Sequence, residues 1–504
     1  MERIKFWKQE IKFHLGLHIL IAIFITIASY VHFPFGSFKG NLVYVVHFLL
    51  LHFSLFGFIY IFSLFNKIFK ILFPILFTVI ASFSFWVYTQ DLSIGVGMIQ
   101  AILETNIDIA VDVFSFQFIG FLLISLFSIL YFFRFHNKSR ISNVKSPLFF
   151  VAILGVLTFF LVENYKFDAF KNRLPYSVYF AGVKYLNKPK IKLKEVKENV
   201  FTKEENLHIV LVVGESVRAD HLSLNGYYRN TNPLLSQLEN LISFKKVFTP
   251  FTFTSQSVPQ LLTDKSVDDK DVFQEATSLF SVLNKASFKT EWIGNQSIER
   301  SYKDVIYSNL SNIIIDKFHS FQSFKKEKDL ALLNYFSIND SLTGNRISTL
   351  HMIGSHWFYN SRITSNFQIY KPIISSKYIG SLTKEELINS YDNTILYLDY
   401  FLNELIEKLK KSSKKTILIY ISDHGETLGE DGKWLHAQAH NASKNPAMLV
   451  WFSDNFEDSY PLKTQYLKLK KQDSITTDFL FHSILDLGKI ENYEYKKDKS
   501  IFNQ

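Results

Sequence analysis

The sequence predicts a chain in two parts: an N-terminal five-helix transmembrane domain and an α/β domain on a mainly parallel sheet. Three observations predict it. Hydrophobic residues make up 48 % of the 504, with 52 Phe, and the mean hydropathy is +0.08, so one very apolar part is averaged with an ordinary one. Five apolar stretches fill the first third, each near the ~20 residues that a helix needs to cross hydrocarbon. Beyond residue 206, continuous β-branched runs are separated by segments of helical period, the pattern of strands buried on both faces of a sheet.

The five spans are read at 13–33, 42–65, 68–88, 117–133 and 147–163. The first is too long for a cleaved signal peptide and has no small-residue cleavage site. Basic residues set the orientation. Arg3, Lys5, Lys8 and Lys12 precede the first span, Lys67 and Lys70 follow the second, and Arg134, Lys138, Arg140 and Lys145 follow the fourth. The opposite side has Lys39 alone, and the 89–116 loop carries only acids, Asp91, Glu104, Asp108 and Asp112. Ten against one puts the N-terminus inside and everything after the fifth span outside. One helix would anchor a domain, so five point to a part in holding a lipid. His47 and His52 lie within the second span, where a histidine more often packs or bonds locally than acts.

The expected boundaries are 1–163 for the transmembrane domain, 164–205 for an interfacial linker and 206–504 for the α/β domain outside the membrane. The linker is rich in Lys and aromatics, from Tyr165 and Lys166 to Lys203, as suits a headgroup layer over anionic lipid. Much of the net charge of +9 sits there and in the inner loops, so nucleic acid is a poor partner. With no Cys, disulfide scaffolds, thiolate zinc sites and cysteine nucleophiles are excluded.

In the last part, His208–Val213 and Thr416–Ile421 read as buried parallel strands, and 276–286 and 384–410 as helices. Both strands run into ionisable residues: Gly214-Glu215-Ser216 after the first, and Ser422-Asp423-His424-Gly425-Glu426 after the second. A helix-capping Glu and a backbone-bonded His would explain either motif alone. Together, at the carboxyl edge of one sheet, they make a mixed oxygen and nitrogen metal set of the kind zinc favours. The stretch Phe251-Thr-Phe-Thr-Ser-Gln-Ser-Val-Pro259 precedes an apolar helical run, so it offers hydroxyls and backbone N–H groups to an anion. Spacing alone does not choose among Thr252, Thr254, Ser255 and Ser257.

The segment Gly214-Glu-Ser-Val-Arg-Ala-Asp-His-Leu-Ser-Leu-Asn-Gly-Tyr-Tyr-Arg-Asn-Thr-Asn-Pro233 resembles a signature of the bacterial phosphoethanolamine transferases. That family modifies lipid A and other envelope acceptors and includes the colistin-resistance enzymes. Ser422-Asp-His-Gly-Glu-Thr-Leu-Gly-Glu-Asp-Gly-Lys-Trp-Leu-His436 is similar to its second signature, and Ser390-Tyr-Asp-Asn-Thr394 and His351-Met-Ile-Gly-Ser-His356 are further matches. The resemblance implies an alkaline phosphatase/sulfatase-like periplasmic domain. It maps the nucleophile to Thr254 and the zinc ligands to Glu215, Thr254, Asp423 and His424. It puts His356 and His436 beside the metal, to bind phosphate, a second zinc or the leaving-group proton. His351 is expected in a strand-packed interior and His440 on a surface loop.

The sequence departs from the family in places. Pro250 and Gln260 stand where a disulfide flanks the nucleophile, and His356-Trp357-Phe358 replaces the usual H-G-P. In the outer loop Met98, Thr105 and Asn106 fit a donor-headgroup motif, but Ala101 and Ile109 replace its Asn and Glu, leaving Glu104 and Asp108 as ammonium partners. Asn295 and Ser297 are further headgroup candidates. The expected activity is transfer of phosphoethanolamine from phosphatidylethanolamine to lipid A phosphate, core sugar or another envelope acceptor. It would run through a covalent Thr254 ester on a zinc-loaded site, with release of diacylglycerol. The expected location is the bacterial inner membrane, multi-pass, with a cytoplasmic N-terminus. A glycerol-phosphate transferase of the lipoteichoic acid synthase type and an inactive envelope scaffold are the alternative readings.

Overall fold

The structure, a computed structural model of the chain, describes residues 2–31, 38–90, 94–104, 114–136, 141–165, 169–187, 191–269, 275–296, 298, 302–307, 312–315, 328–338, 343–376, 379–436 and 440–503. It divides into a helical unit, Met1–Gln100 with Phe114–Lys188, and a second unit, Pro189–Lys377 with Leu382–Gln504.

The helical unit contains α1 (Glu2–Ile21), continued by a π-turn at Ala22–Thr26 and a tighter turn at Ile27–Tyr30, then α2 (Phe38–Ser63) and α3 (Asn66–Gln90). After them come α4 (Val96–Glu104), α5 (Phe116–Phe135), α6 (Pro147–Tyr165) and α7 (Tyr176–Leu186). Among the described residues, five segments are long and apolar enough to cross a membrane: Trp7–Tyr30, Asn41–Ser63, Asn66–Thr89, Phe116–Phe135 and Pro147–Tyr165. These agree with the predicted spans to within a few residues, apart from the first, which starts earlier.

Between apolar helices in lipid there is little hydrophobic driving force, so close packing must hold them. At the α2–α6 crossing the backbones touch: a Cβ on Gly57 would lie 2.5 Å from the Ala152 carbonyl oxygen, and one on Gly155 2.4 Å from that of Phe53. The stretch after α6 folds back on the helices. The Glu163 carboxylate accepts from the Phe170 and Lys171 amides at 2.5 and 3.1 Å, the Leu174 amide donates to Ser29 Oγ at 3.1 Å, and Tyr176 OH bonds Ser54 Oγ at 2.9 Å. Part of the stretch read as a linker is therefore the helix α7, belonging to the helical unit. Within the second unit its first segment is strapped down, the Ala276 amide donating to the Lys192 carbonyl and the Lys194 amide to that of Ala276.

The second unit is built on β1 (Leu207–Gly214), β2 (Leu241–Phe244), β3 (Lys289–Gly294), β4 (Asn312–Ile315), β5 (Arg346–His351), β6 (Lys415–Ser422) and β7 (Met448–Phe452). They form one sheet in the order β2-β7-β6-β1-β5-β3-β4. All neighbours from β6 to β4 are parallel, while β7 runs antiparallel to both its neighbours. Every residue of β1 is buried, as its unbroken apolar run requires. Ile209, Leu211 and Val213 share a core with Ile417, Ile419 and Ile421 of β6 and with α8 (Thr254–Leu261), α9 (Leu279–Lys285) and α11 (Phe479–Leu487). The long α10 (Lys384–Leu409) starts at a capping box formed by Thr383 and Glu386. Helix α9 begins three residues later than its periodicity predicts, because Ala276 is spent on the bridge to the strapped segment.

The α2–α6 contact gives a direct test. Gly155→Leu must separate two touching backbones and is expected to destabilise the full-length protein by about 1–3 kcal/mol. A lowered melting midpoint in detergent is the expected result, and an unchanged midpoint would contradict the close approach.

Candidate active site

Strand register brings the chemistry together. Gly214 pairs with Ser422, Val213 with His351, and His351 with Gly294, so β1, β6, β5 and β3 end at one level of the sheet. The residues that follow, Glu215, Asp423 with His424, Met352–His356 and Asn295, therefore emerge along one edge, where α/β sheets bind ligands.

Glu215, Asp423 and His424 offer ligand atoms that all lie within 4.8 Å of one another, and all three residues are buried. His424 Nδ1 bonds the Gly425 carbonyl at 2.8 Å, which turns Nε2 toward the carboxylates, 3.2 Å from Glu215 Oε1 and 3.4 Å from Asp423 Oδ2. Asp423 Oδ1 accepts from the Ser216 and His424 amides at 3.2 and 2.7 Å. Its Oδ2, like His424 Nε2, is buried without a hydrogen-bond partner. Burial raises all carboxyls here, yet attraction to His424 holds Glu215 below its usual range, while burial and the Glu215 charge push Asp423 well above it. Burial opposes charge on His424, but the two carboxylates outweigh it and raise the ring to about 10. The unpartnered Asp423 Oδ2 and His424 Nε2, both turned into the cluster with Glu215, fit a divalent cation.

Thr254 heads α8, and its Oγ1 donates to Glu215 Oε2 at 2.7 Å. Thr252, Ser255 and Ser257 are buried, whereas Thr254 is half-buried and at the ligand cluster, so among the four hydroxyls it is the one the fold sets against the carboxylate. The helix also turns its positive end toward that point.

The turn carrying Glu215 is held from two sides. Ser216 has φ +60°, and its carbonyl accepts from Tyr391 OH at 2.7 Å, while that same hydroxyl accepts from the Arg218 amide at 2.9 Å. Opposite, Gly354 has φ +51°, and a Cβ there would lie 2.7 Å from the Glu215 carbonyl oxygen, so only glycine fits against the Glu215 backbone. Tyr391 belongs to Ser390–Thr394, a buried polar stretch of α10. Its neighbour Asp392 takes His221 Nδ1 at 2.7 Å, Arg229 Nη1 at 2.8 Å and Tyr227 OH at 2.9 Å, which fixes the loop after β1. Thr394 Oγ1 meets Ser355 Oγ at 2.6 Å, and the Ser355 amide donates to the Glu215 carbonyl at 2.9 Å. These positioning roles were not visible in the motif, because each depends on a contact distant in sequence.

His436 and His356 extend the site in a row: the His424 and His436 rings are 5.3 Å apart, and His436 and His356 5.1 Å. His356 Nδ1 bonds the Trp357 carbonyl at 2.7 Å, and Arg362 donates to the carbonyls of His356 and Trp357. Loss of solvation pushes His356 well below the usual histidine range. Glu426, the last residue of the second motif, stands behind His436 at 3.9 Å, buried, with both carboxylate oxygens unpartnered. Sequence reasoning gave it no role.

The other expected residues lie elsewhere or outside the description. Asn295 is buried, and its amide donates to Asp329 at 2.8 Å, which also accepts from the Ile353 and Gly354 amides. Thr105, with Asn106, Asp108 and Ile109, and also Ser297, lie outside the described residues. His351 is fully buried against Trp292, and His440 caps a short turn with its Nδ1 accepting from the Ala442 amide.

Two family models match the chain: Sulfatase over residues 208–490, and phosphoethanolamine transferase EptA/EptB over residues 50–187. Phosphoethanolamine transferase EptA of Escherichia coli (strain K12) is 32 % identical over 306 residues, covering 58 % of this chain and 55 % of that protein. The chain thus spans a little over half the length of such curated relatives. The integral membrane lipooligosaccharide phosphoethanolamine transferase A (EptA) from Neisseria meningitidis shares the fold, with TM-score 0.84 at 22 % identity over 97 % of this chain and 98 % of that one. The C-terminal periplasmic domain of EcEptC from Escherichia coli, solved in complex with Zn, aligns with TM-score 0.54 at 24 % identity, covering 63 % and 90 %.

Tyr391→Phe deletes the hydroxyl that joins Ser216 to Arg218 while keeping the ring. It is expected to weaken Zn2+ affinity by ~10–100-fold, the usual effect of losing a group that orients a ligand. The metal-free melting midpoint should stay close to wild type. Unchanged affinity in a chelator-competition titration would refute the positioning role.

Proposed function

We propose that this chain, which belongs to the sulfatase family and within it to the phosphoethanolamine transferases, moves phosphoethanolamine from phosphatidylethanolamine to an envelope acceptor, lipid A phosphate first among them. The acceptor class extends to a core sugar or another envelope hydroxyl. The observation that carries the reading is Thr254 Oγ1 hydrogen-bonded at 2.7 Å to a buried carboxylate whose partners form a cation site.

Zn2+ fits the oxygen and nitrogen donors Glu215, Thr254, Asp423 and His424, and when bound it supplies positive charge that eases ionisation of a hydroxyl and offsets charge on a phosphoryl group. Glu215 Oε2 orients the Thr254 hydroxyl, takes its proton as the ester forms and returns it to the Thr254 oxygen as the ester is cleaved. The head of α8 faces the incoming phosphate with its positive end. The two histidines divide the proton work. His436 Nδ1 lies 3.9 Å from Glu426 Oε1, a carboxylate placed to orient the ring, and His436 is assigned as donor to the diacylglycerol oxygen as it leaves. His356 is held neutral, with Nδ1 on the Trp357 carbonyl and Nε2 left to accept, so it is assigned to take the proton of the acceptor. A phosphoethanolamine ester on Thr254 links the two halves of the exchange.

We place the helical unit in the bacterial inner membrane, with the N-terminus cytoplasmic and the second unit in the periplasm. The support is the ten-to-one division of basic residues between the two sets of loops. Adding an amine to an anionic envelope lipid weakens its attraction for cationic peptides, which joins this activity to colistin resistance.

The reading is tested with full-length, Zn2+-loaded protein in detergent and phosphatidylethanolamine labelled in its headgroup. Wild type is expected to release diacylglycerol and gain the mass of one phosphoethanolamine, and Thr254→Ala to do neither. No release from wild type would remove the donor assignment, and release of a glycerol-phosphate product from another lipid would favour the polymerase reading. Glu426→Gln is expected to slow release at least ~10-fold at unchanged zinc content; an unaltered rate would remove Glu426 from the proton path.

A further inference from the structure

Within the apolar spans, α1 and α2 meet along a stripe of polar side chains. Glu10, His14, His18, Thr26 and Tyr30 recur on α1 and its continuation at intervals of four or eight residues, and Tyr60, His52 and His47 face them from α2. Tyr60 OH donates to Glu10 Oε1 at 2.6 Å, and His14 Nε2 meets Ser142 Oγ at 2.9 Å. His18 Nδ1 lies 3.1 Å from His52 Nδ1, Thr26 Oγ1 lies 2.8 Å from His52 Nε2, and Tyr30 OH 2.6 Å from His47 Nδ1. Twenty residues of helix rise ~30 Å, which is the thickness of the hydrocarbon layer. The helix opens into its π-turn at Ala22–Thr26, inside the stripe, and such turns gather at functional sites.

Hydrogen bonds between helices in lipid act as glue, and glue alone would leave each group paired. Here His14 Nδ1 and His18 Nε2 are buried without partners. They belong to rings one helical turn apart that flank Phe56, at 5.4 and 6.0 Å. Unpaired polar nitrogens in a membrane span are costly, so their persistence points to use. A water bonded to both nitrogens would join the Glu10–His14 end to the His18–His52–Thr26 chain.

We propose that this stripe is a proton path through the helical unit, with the His18–His52 pair as its exchange site. A proton from water on the Glu10 side binds His18 Nε2. The proton on His18 Nδ1 passes to His52 Nδ1, breaking one N–H bond and forming another. His52 gives up its Nε2 proton to the Thr26 hydroxyl, which releases its own toward Tyr30 and His47, and both rings reset by tautomer exchange. The proton is the only species moved, and a pH difference across the membrane drives it. Among the described residues, the ionisable groups toward the ends of the pair are Glu10, His14 and Tyr60 at one end, and Tyr30, Tyr44, His47 and Arg173 at the other, with Arg173 over the Tyr30 ring at 5.1 Å and the Tyr44 ring at 5.5 Å. None of these groups belongs to the proposed transferase site.

The test uses full-length protein in phosphatidylcholine vesicles containing a pH-sensitive dye, with the membrane potential clamped by potassium and valinomycin. After a pH step, wild type is expected to dissipate the gradient several-fold faster than protein-free vesicles. His52→Phe and Thr26→Val, each with a wild-type melting midpoint, should return to the protein-free rate. Thr26→Val is close in shape to the original and serves if the histidine variant fails to fold. Wild-type decay equal to that of empty vesicles, or variants that conduct like wild type, would overturn the proposal and leave the stripe as interhelical glue.

Discussion

Two carboxylates and an imidazole, buried within hydrogen-bond reach of each other and short of donors, form the constraint on which the second unit depends. Water is excluded from Glu215, Asp423 and His424, so their charges are offset by retained protons or by a cation. The surroundings are arranged to keep them there. Backbone amides saturate one oxygen of Asp423 and leave the other bare, and a carbonyl fixes the His424 ring so that its free nitrogen joins the cluster. The arrangement has the donors and geometry to hold a metal ion.

From that constraint the architecture follows outward. Parallel pairing of β1 with β6 and β5 brings three strand ends to one level, which no single motif accomplishes. The turn after β1 adopts a left-handed residue at Ser216, strain that the Tyr391 hydroxyl and the absence of a side chain at Gly354 make tolerable. Helix α10 buries Ser390–Thr394, a polar run on a core-facing surface, because its side chains fasten loops: Tyr391 holds Ser216, Asp392 holds His221, Thr394 holds Ser355, and Ser390 and Asn393 together hold residues 369–374. Rigidity near Thr254 comes from this network and from packing, since the chain has no cysteine.

The large features were legible in the sequence for simple reasons. Membrane spans depend on local hydropathy, and the β1 and β6 strands on unbroken β-branched runs, so both could be read without knowing any distant contact. The ionisable residues at the ends of those strands announced a site, and the resemblance of the motifs to a known family assigned the parts. What remained hidden depends on the fold. Thr252, Thr254, Ser255 and Ser257 are equivalent by spacing and differ only once α8 is set against Glu215. Glu426 looks like any acidic loop residue until it is buried behind His436, and Asn295 looks available until Asp329 claims its amide. In the helical unit, His47 and His52 read as ordinary polar residues of an apolar span, because their partners on α1 lie 17 to 34 residues away.

The central claim is that the strand ends assemble a zinc centre around Thr254. Crystals of the full-length protein grown with Zn2+, measured at the zinc absorption edge, test it most directly. The account predicts an anomalous peak enclosed by Glu215, Asp423, His424 and the Thr254 hydroxyl, and loss of that peak in Glu215→Gln. A site empty at saturating Zn2+, or zinc bound only at other residues, would contradict it.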